Sequence, residues 1–386
     1  MDSLSYFGAM KKWDAIVIGV GSMGSATCYQ LAKQGMRVLG IEQYDITHEW
    51  GSHAGQSRLI RKAYFEHPDY VPLLQRAYDG WKEIEQKAQI QLYWPTGIAY
   101  FAPEQHSIIQ GIRSSARQHG IRLTDESPDK WPQFSIPRHF SCVFEPESGF
   151  LTPEIAIRSF VQAAQEYGAD IHTHERMSAW QETTNGVEVI TDKGIYLAEK
   201  LIFTAGAYTS YILELPVPLR VTRQLLAWAH PQDPAGFGLG EIPCWMIAEE
   251  GIEGLYYGFP ALPASFDGPR GLKIAYHRPG ERMTNPADTV FDSTDEQLLL
   301  KHVLDRYVAP ARATIYELKQ CRYTYSPDEH FIVDQVQTHG NRVIVAAGFS
   351  GHGFKFVPVI GEALADLAIH GSTLWPIGFL GLHRFR

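Results

Sequence analysis

A glycine-rich turn near the start of the chain constrains the fold more than any other feature. Residues 14–20 (DAIVIGV) form a short apolar run rich in β-branched residues, which predicts a buried parallel strand. The turn GVGSMG follows at 19–24, and after it we predict a helix over 25–34 and a second strand over 37–41. A strand, a glycine-rich turn, a helix and a strand in this order make a βαβ unit, which is typical of nucleotide-binding α/β folds.

The three glycines of this turn have separate mechanical roles. Gly19 permits the tight turn, Gly21 lets the backbone approach a diphosphate at the positive helix N-terminus, and Gly24 allows close packing of helix on strand. Glu42 ends the second predicted strand, where a carboxylate accepts hydrogen bonds from a ribose diol and disfavours a 2′-phosphate. A turn that merely requires glycines is the alternative, but the βαβ setting favours dinucleotide binding. The motif alone does not separate FAD from NAD.

Pieces of the same fold recur in the middle and at the end of the chain. A buried strand predicted over 201–204 leads into Gly206, and another over 342–347 leads into GFSGHGFK at 348–355. Residues 221–280 are strand-rich and aromatic. We therefore predict the α/β (α+β) class, with a discontinuous Rossmann-like domain interleaved with a mixed-sheet domain. Further predicted elements are helices over 68–86, 108–119, 153–167 and 295–307, a last helix ending near residue 369, a strand over 92–101, and a hairpin of 187–191 with 195–198.

Composition excludes several classes of protein. A net charge of −9 argues against nucleic acid or an anionic membrane as the main partner. No run reaches 18 uninterrupted apolar residues and the N-terminus does not resemble a signal peptide, so we expect no membrane span. Four cysteines without CxxC spacing indicate neither a disulfide framework nor a zinc site, and they suit a reducing cytoplasm. We expect no metal site, and we expect about the first ten residues to be disordered.

Hydrolytic and phosphate-loop motifs are also absent. GFSGH at 348–352 resembles a nucleophile elbow, but GxSxG requires glycine at the position of His352. The chain contains neither HExxH nor a Walker-type GxxxxGK, and its 16 histidines form no cluster with ligand spacing. The sequence therefore favours none of these hydrolytic, phosphate-loop or metal-dependent chemistries.

Three basic stretches interrupt apolar or glycine-bearing sequence. Arg58 and Arg61 stand in SHAGQSRLIR, and Lys355 ends a glycine-rich strand-to-helix junction. In GLKIAYH, the alternation of a strand places Lys273 and His277 on one face. Each stretch alone is more often solvated charge. Together they suit a flavin, because the reduced flavin is anionic and nearby positive charge stabilises it.

One cysteine stands out by its neighbours. Cys321 lies between Lys319 and Arg322, and nearby cations favour the reactive thiolate form of a cysteine. The alternative is an inert buried thiol.

Six segments stand in the same order as in one known family. They are GVGSMG with Glu42, SHAGQSRLIR at 52–61, YYGFP at 256–260, GLKIAYH at 271–277, CRYTYSPDEHFIVD at 321–334 and GFSGHGFKF at 348–356. From about residue 13 to about residue 370, the chain resembles the family of monomeric sarcosine oxidase and N-methyltryptophan oxidase. The last two segments are the most specific.

The resemblance implies an FAD-dependent oxidoreductase that acts on CH–NH donors with oxygen as acceptor. We expect a monomer that oxidatively demethylates sarcosine or a similar N-methyl or secondary amino acid, by hydride-equivalent transfer to FAD with release of hydrogen peroxide. Its partners are then this secondary amine and O2, with no nucleic acid and no membrane. The FAD-binding domain is expected over 12–88, 148–222 and 320–380, and the substrate domain over 89–147 and 223–319.

On the cofactor side, the resemblance implies that FAD is covalently attached through Cys321, by a thioether to the flavin 8-methyl group. Arg58 is expected against the flavin ring, and Lys273 on the opposite face, where oxygen is activated. The other expected cofactor contacts are Gly19, Gly21, Ser22, Met23, Gly24, Glu42, Ser52, Gly206, Gly348, Gly351, Gly353, Phe354 and Lys355.

On the substrate side, the resemblance implies that Arg61 and Lys355 hold the carboxylate of the amino acid. An arginine and a lysine together supply both orientation and charge for such a group. Tyr257, His277 and Tyr323 are expected to shape the pocket over the flavin. The expected catalytic residues are Arg58, Tyr257, Lys273 and His277.

Three alternatives stay open at this point. The aromatic segment before Tyr257 admits a bulkier secondary amino acid of the N-methyltryptophan, pipecolate or proline type. An FAD-dependent dehydrogenase would pass electrons to an acceptor other than oxygen, against which Lys273 argues. A non-catalytic flavin-binding module is the third. Ala54, Gln56 and Ser57 depart from the family pattern SHHGDTR, and their effect on flavin attachment cannot be read from the sequence.

Overall fold

The computed structural model describes residues 12–289 and 293–386, so the expectation for the first residues lies outside the described part. The strands are β1 (Lys12–Ile18), β2 (Val38–Ile41), β3 (Arg58–Ile60), β4 (Tyr93–Trp94), β5 (Ile98–Pro103), β6 (Thr124–Glu126), β7 (Phe140–Glu145), β8 (Gly149–Leu151), β9 (Asp170–His172), β10 (Met177–Thr183), β11 (Gly186–Thr191), β12 (Ile195–Phe203), β13 (Arg220–His230), β14 (Cys244–Ile247), β15 (Leu255–Phe259), β16 (Leu272–His277), β17 (Thr314–Tyr325), β18 (Ile332–Gln335) and β19 (Val343–Ala347). The helices are α1 (Ser22–Lys33), α2 (Tyr70–Ala88), α3 (Ser107–His119), α4 (Pro153–Glu166), α5 (Thr209–Ile212), α6 (Thr294–Tyr307) and α7 (Val357–His370).

The predicted βαβ opening is confirmed and forms the centre of the first sheet. β1 runs parallel to β2 on one side and to β12 on the other. β9 extends the sheet beyond β2, while β12 pairs with β11 in its first half and with β19 in its second. Helices α1, α4 and α7 pack together on one face, where the largest apolar cluster lies. The parallel strands β1, β2, β12 and β19 therefore end at one common edge.

Helix α1 begins three residues earlier than predicted. The N–H of Ser25 donates to the carbonyl oxygen of Gly21 at 3.0 Å, so the glycine-rich turn itself forms the first helical turn. The helix N-terminus consequently lies directly at the turn, where a bound anion would meet it.

The second sheet supplies the other half of the molecule. Its order is β17-β13-β16-β15-β14-β5-β7-β6, and neighbours are antiparallel except for the pair β14–β5. The long pair β13–β17 forms one edge, and α6 packs on one face through Leu300, Val303 and Leu304. The alternation predicted for β16 is confirmed, because Leu272 and Ile274 join the cluster under α6 whereas Ala275 joins the cluster on the other face. A small third sheet has the order β3-β8-β4.

Two details of the predicted strands are wrong, although the predicted α/β class with parallel and antiparallel sheets is confirmed. The single strand expected over 92–101 is divided into β4 and β5, which belong to different sheets. Pro95 lacks a donor, and Gly97 takes a left-handed φ of 70°, so the chain turns between them. The segments 195–198 and 201–204 form one continuous strand, β12, which changes partners along its length. Among the described residues, no helix is long and apolar enough to cross a membrane.

Candidate active site

A cavity of about 530 Å3, the large cavity, opens at the carboxyl ends of the parallel strands of the first sheet. Its walls come from the turns that follow β1, β12 and β19, from the end of β2, and from β17 of the second sheet. This edge is where open α/β sheets bind their ligands. The expected cofactor residues that line it are Gly19, Gly21, Ser22, Met23, Glu42, Ser52, Arg58, Gly206, Gly348, Gly351, Gly353 and Phe354.

The glycine-rich turn leaves open space above the N-terminus of α1. Gly19 has a φ of 90°, and a Cβ there would lie 2.8 Å from the carbonyl oxygen of Thr204. A Cβ on Gly24 would collide with the carbonyl oxygen of Gly19, so Gly24 packs the helix and does not line the cavity. Around Gly21 only the ring of His53 comes near, at 3.9 Å from the position of a Cβ. The first turn of α1 has no acidic residue, which suits an anion.

Glu42 is fixed at the end of β2 by backbone donors. Its Oε2 accepts from the N–H of Val20 at 3.0 Å, and its Oε1 accepts from the N–H of Tyr44 at 3.1 Å. His48 adds its Nε2 at 3.5 Å from Oε1. The carboxylate is buried and lies in the cavity wall, next to the turn, as expected of a ribose-binding group.

The chemistry of this lining fits FAD. Arg58, Arg176 and Arg322 line it from three segments, and the acidic residues of its lining are Glu42 and Glu175. Glycine turns expose backbone N–H groups to a diphosphate, and the cations complement its charge. Within residues 12–289 and 293–386, no group of His, Cys, Asp or Glu is placed to hold a metal ion.

Arg58 connects the cavity wall to Cys321. Its Nη2 donates to the carbonyl oxygens of Ser52 at 2.9 Å and Ala54 at 2.6 Å, and it lies 3.5 Å from Sγ of Cys321. Cys321 is a buried free thiol on β17 that does not itself line the large cavity. Ser52 and Arg58, which touch its sulfur, do line it, so the thiol lies directly behind the wall.

The cation at this thiol is not one of those that the sequence indicated. Lys319 is paired with Glu49 at 2.5 Å, and Arg322 donates to the carbonyl oxygens of Pro286 and Glu49. Because side chains alternate along β17, Arg322 points to the opposite face from Cys321. The charge of Arg322 still interacts with the thiol, but the cation in contact with it is Arg58, which the sequence did not indicate as its partner.

Lys273 is buried beside the same loop. Its Nζ donates to the carbonyl oxygens of Gly55 at 2.5 Å and Ser57 at 2.7 Å, and the ring of Phe259 lies 4.7 Å away. Burial and the nearby charge of Arg58 hold the pKa of Lys273 well below its usual range. It lines neither cavity.

A second cavity of about 60 Å3, the small cavity, adjoins the large one. Arg58, Tyr323, Gly351 and Phe354 line both. A ligand of the small cavity is therefore in contact range of a ligand of the large one. All five expected substrate residues line the small cavity, namely Arg61, Tyr257, His277, Tyr323 and Lys355.

Arg61 is surrounded by its own chain neighbours. Its Nη2 pairs with Oε1 of Glu66 at 2.5 Å, and its Nη1 donates to the carbonyl oxygen of Ala63 at 3.1 Å. The rings of Tyr64 and Phe65 lie 4.4 Å and 4.2 Å from the guanidinium carbon. Although burial opposes it, the charge of Arg61 lowers the pKa of Glu66 to about 2, so this pair is ionised at neutral pH.

Lys355 lies close enough to Arg61 to feel its charge. Its Nζ donates to the carbonyl oxygen of His352 at 2.6 Å, and the side chain is buried. Burial, reinforced by Arg61, lowers the pKa of Lys355 to about 7. The small cavity thus holds two permanent cations, Arg58 and Arg61, and a lysine that titrates near neutrality.

Apart from Arg58, the remaining polar groups of the small cavity are neutral. Burial lowers the pKa of His277 to about 4, and it raises the pKa of Tyr257 above its ordinary value. The hydroxyl groups of Tyr257 and Tyr323 lie 3.5 Å apart, and the ring of Tyr323 lies 5.6 Å from that of His277. A neutral imidazole and two hydroxyl groups can accept or donate hydrogen bonds without adding charge.

Sequence reasoning missed several residues of the small cavity. Glu66 follows Arg61 at a spacing that no regular element would bring together, so no periodic signal pointed to it. His352 lies in the segment GFSGHGFKF, but the sequence indicated no function for it. Its ring is hydrogen-bonded to the hydroxyl of Tyr64. The other missed residues are Leu59, Phe65, Met246 and Leu255.

Comparison with known proteins gives a consistent family. The family model DAO, described as FAD dependent oxidoreductase, matches residues 14–367. Monomeric sarcosine oxidase of Bacillus sp. (strain B-0618) is 35% identical over 384 residues, which cover 96% of each chain. N-methyl-L-tryptophan oxidase of Yersinia pestis (strain Pestoides F) is 32% identical over 384 residues, which cover 97% of this chain and 100% of the other.

Solved structures agree in fold. NikD, an unusual amino acid oxidase essential for nikkomycin biosynthesis, aligns with a TM-score of 0.84 at 24% identity over 96% of this chain and 97% of the other. L-proline dehydrogenase from P. horikoshii aligns with a TM-score of 0.82 at 21% identity over 97% and 98%. At these identities the likeness is one of architecture.

Proposed function

Because the chain belongs to the DAO family of FAD-dependent oxidoreductases, we propose that it oxidises a small secondary amino acid such as sarcosine. The observation that carries the proposal is the pair of buried cations, Arg61 and Lys355, in a cavity of about 60 Å3 that adjoins the large cavity. When bound, FAD accepts a hydride equivalent from the C–H bond beside the amine nitrogen and passes the electrons to O2, which gives hydrogen peroxide.

The large cavity would hold the FAD. The backbone of the glycine-rich turn and of the turns after β12 and β19 would bind the diphosphate and the flavin, and Glu42 would bind the ribose. Cys321 would carry the covalent link, since its sulfur lies against two residues of the wall. All four cysteines are free thiols, which supports a reducing compartment such as the cytoplasm. We expect the enzyme to be a monomer.

The substrate carboxylate would bind between Arg61 and Lys355. In the free protein these cations repel each other, and the pKa of Lys355 is lowered for that reason as well as by burial. A carboxylate between them supplies the missing negative charge and favours the protonated form of Lys355. Glu66 shares Arg61 with the substrate and keeps the guanidinium oriented when the site is empty of substrate.

The small cavity would also favour binding of the substrate amine in its neutral form, with the proton left in solvent. An amine nitrogen needs its lone pair to assist the loss of hydride from the neighbouring carbon, and the ammonium form lacks it. Two cations close by disfavour an additional ammonium, and burial disfavours it further. His277 is neutral at physiological pH and can accept a hydrogen bond from the amine N–H without adding charge.

Lys273 would act on the oxygen side of the reaction. It is buried and held by two backbone carbonyl groups, so its Nζ is fixed in position. Burial and Arg58 lower its pKa, and negative charge that develops on O2 favours its protonated form. A fixed positive charge stabilises the negative charge that develops on O2 as electrons reach it.

The direct test is a panel of amines under anaerobic conditions. Sarcosine is expected to bleach the flavin absorbance, and admission of air is expected to restore it with one equivalent of hydrogen peroxide. Bleaching by bulky substrates alone, such as N-methyltryptophan, would move the assignment to a larger amino acid. Slow return in air, with fast return on adding a quinone, would make the protein a dehydrogenase. No bleaching by any amine would refute the enzymatic proposal.

A further inference from the structure

We propose that Phe65 sets the size limit of the small cavity and holds Arg61 in place for the substrate carboxylate. This inference rests on the proposed function. Phe65 lines the small cavity and is absent from the lining of the large one. It is therefore placed to discriminate among substrates without touching the cofactor site.

The first observation is the contact between Phe65 and Arg61. The guanidinium carbon lies 4.2 Å from the ring centroid of Phe65 and 4.4 Å from that of Tyr64. Aromatic faces attract a guanidinium and leave its edge free for hydrogen bonds. On that edge, Nε is buried and has no hydrogen-bond partner among the described residues. The two rings therefore hold the guanidinium of Arg61 with its Nε–H free to donate to a ligand.

The second observation is that the backbone of Phe65 is held in place by its neighbours. Helix α3 lies against its backbone, because a Cβ on Gly111 would be only 2.9 Å from Cβ of Phe65 and 3.2 Å from its Cα. Ser115 of the same helix accepts the N–H of Tyr64 through its hydroxyl at 3.1 Å. On the other side, Glu145 accepts the N–H of Lys62 at 2.6 Å. The segment that carries the ring is thus fixed at several points.

The other apolar walls are more adaptable. Met246 and Leu255 line the same cavity, and an unbranched methionine side chain can change rotamer to fill or vacate space. An amino acid with a bulky side chain must displace one of the walls of a 60 Å3 cavity. Phe65, backed by α3, is the wall that resists.

The experiment compares Phe65→Ala and Phe65→Leu with wild-type holoenzyme. Binding of acetate and of indole-3-acetate is followed by the change in flavin absorbance, which does not depend on turnover. Peroxide release then gives kcat/KM for sarcosine and for N-methyl-L-tryptophan. Phe144→Ala is the matched control, because Phe144 is a partly buried aromatic of the second sheet that lines neither cavity.

We expect Phe65→Ala to shift the ratio of kcat/KM toward the bulky substrate by about 10-fold to 200-fold, as for a change of pocket volume. Both Phe65 variants should bind acetate about threefold to fivefold more weakly, since each removes the aromatic face from Arg61. Phe65→Leu keeps most of the bulk and should shift the ratio much less. Phe144→Ala should change neither quantity.

An unchanged selectivity ratio in Phe65→Ala, with a normal flavin spectrum, would overturn the size limit. Unchanged acetate binding in both variants would overturn the effect on Arg61. Neither result bears on the proposed function. That proposal is refuted by a different observation, namely that no amine reduces the flavin of the wild-type protein. If Phe65→Ala does not fold, the acetate affinity of Phe65→Leu still decides the contact with Arg61.

Discussion

The large and small cavities share four lining residues but are built by different means. The large one is formed by backbone, with glycine turns at the ends of parallel strands and a carboxylate held by backbone N–H groups. The small one is formed by side chains, with three cationic residues, one carboxylate and neutral histidines in about 60 Å3. A backbone-built cavity serves a large cofactor that many proteins share. A side-chain-built cavity serves a small substrate and is easily altered.

This difference decides how mutations should act in each region. In the backbone-built region most side-chain truncations are expected to matter little, apart from a covalent anchor. In the side-chain-built region a single truncation leaves a buried partner without its counter-charge, and such losses are large.

The largest effect is expected at Cys321, the proposed attachment point of the flavin next to the large cavity. Cys321→Ala removes the sulfur that contacts Ser52 and Arg58, so all covalent flavin should be lost. Acid precipitation measures this directly, since yellow colour should stay with wild-type protein and leave the variant. Cys244→Ala is the control, because Cys244 is buried and lines neither cavity. Free flavin released from wild-type protein would contradict the covalent link.

A smaller but still large effect is expected at Lys273. Lys273→Met removes a fixed charge, so reoxidation of the reduced enzyme by oxygen should slow by about 10²-fold to 10³-fold. Reduction by sarcosine under anaerobic conditions should change far less, because Lys273 does not line the small cavity. Stopped-flow absorbance separates the two half-reactions. Equal slowing of both would show that Lys273 acts on the substrate side instead.

Within the small cavity, Arg61 should matter more than any neutral group. Arg61→Ala removes a charge-assisted contact and should weaken binding of carboxylate inhibitors by about 1.5–3 kcal/mol, roughly tenfold to hundredfold. Lys62→Ala is the adjacent control, since Lys62 pairs with Glu147 near the surface. Titration of the flavin absorbance with acetate gives the affinities. Equal affinities in Arg61→Ala and wild type would remove Arg61 from the carboxylate site.

The same contrast explains what the sequence could predict. The turn at Gly19, the carboxylate of Glu42 and the shared face of Lys273 and His277 were predictable, because each depends on local geometry or on the period of a strand. The pair of Arg61 with Glu66 was not, since it depends on how an irregular loop folds back.

The cation that contacts Cys321 shows most clearly what could not be predicted from the sequence. The sequence indicated Lys319 and Arg322 as the cations at the thiol. Alternation along β17 instead places Arg322 on the opposite face, where it donates to Glu49, and Lys319 forms an ion pair with the Glu49 side chain. The cation in contact is Arg58, 263 positions away, and only the tertiary fold brings it there. The family resemblance assigned Arg58 to the flavin ring and did not pair it with Cys321.

The smallest effect, and the sharpest test of the small cavity, is its pH dependence. The pKa of Lys355 is lowered to about 7, so below pH 7 both members of the pair Arg61 and Lys355 are charged, and above it only Arg61 is. Acetate affinity should therefore be constant below pH 7 and fall by up to about tenfold per pH unit above it, until the pKa of the complex is reached.

Other groups of the small cavity should not contribute to this profile. The pKa of Glu66 is about 2 and that of His277 about 4, so neither titrates between pH 6 and pH 9. Lys355→Met should bind acetate weakly with a flat profile over this range, and that variant is the control. A flat profile in wild-type protein would mean that Lys355 keeps its charge without a substrate. The repulsion between the two cations would then be compensated within the site, and the substrate carboxylate would no longer be what restores the charge of Lys355.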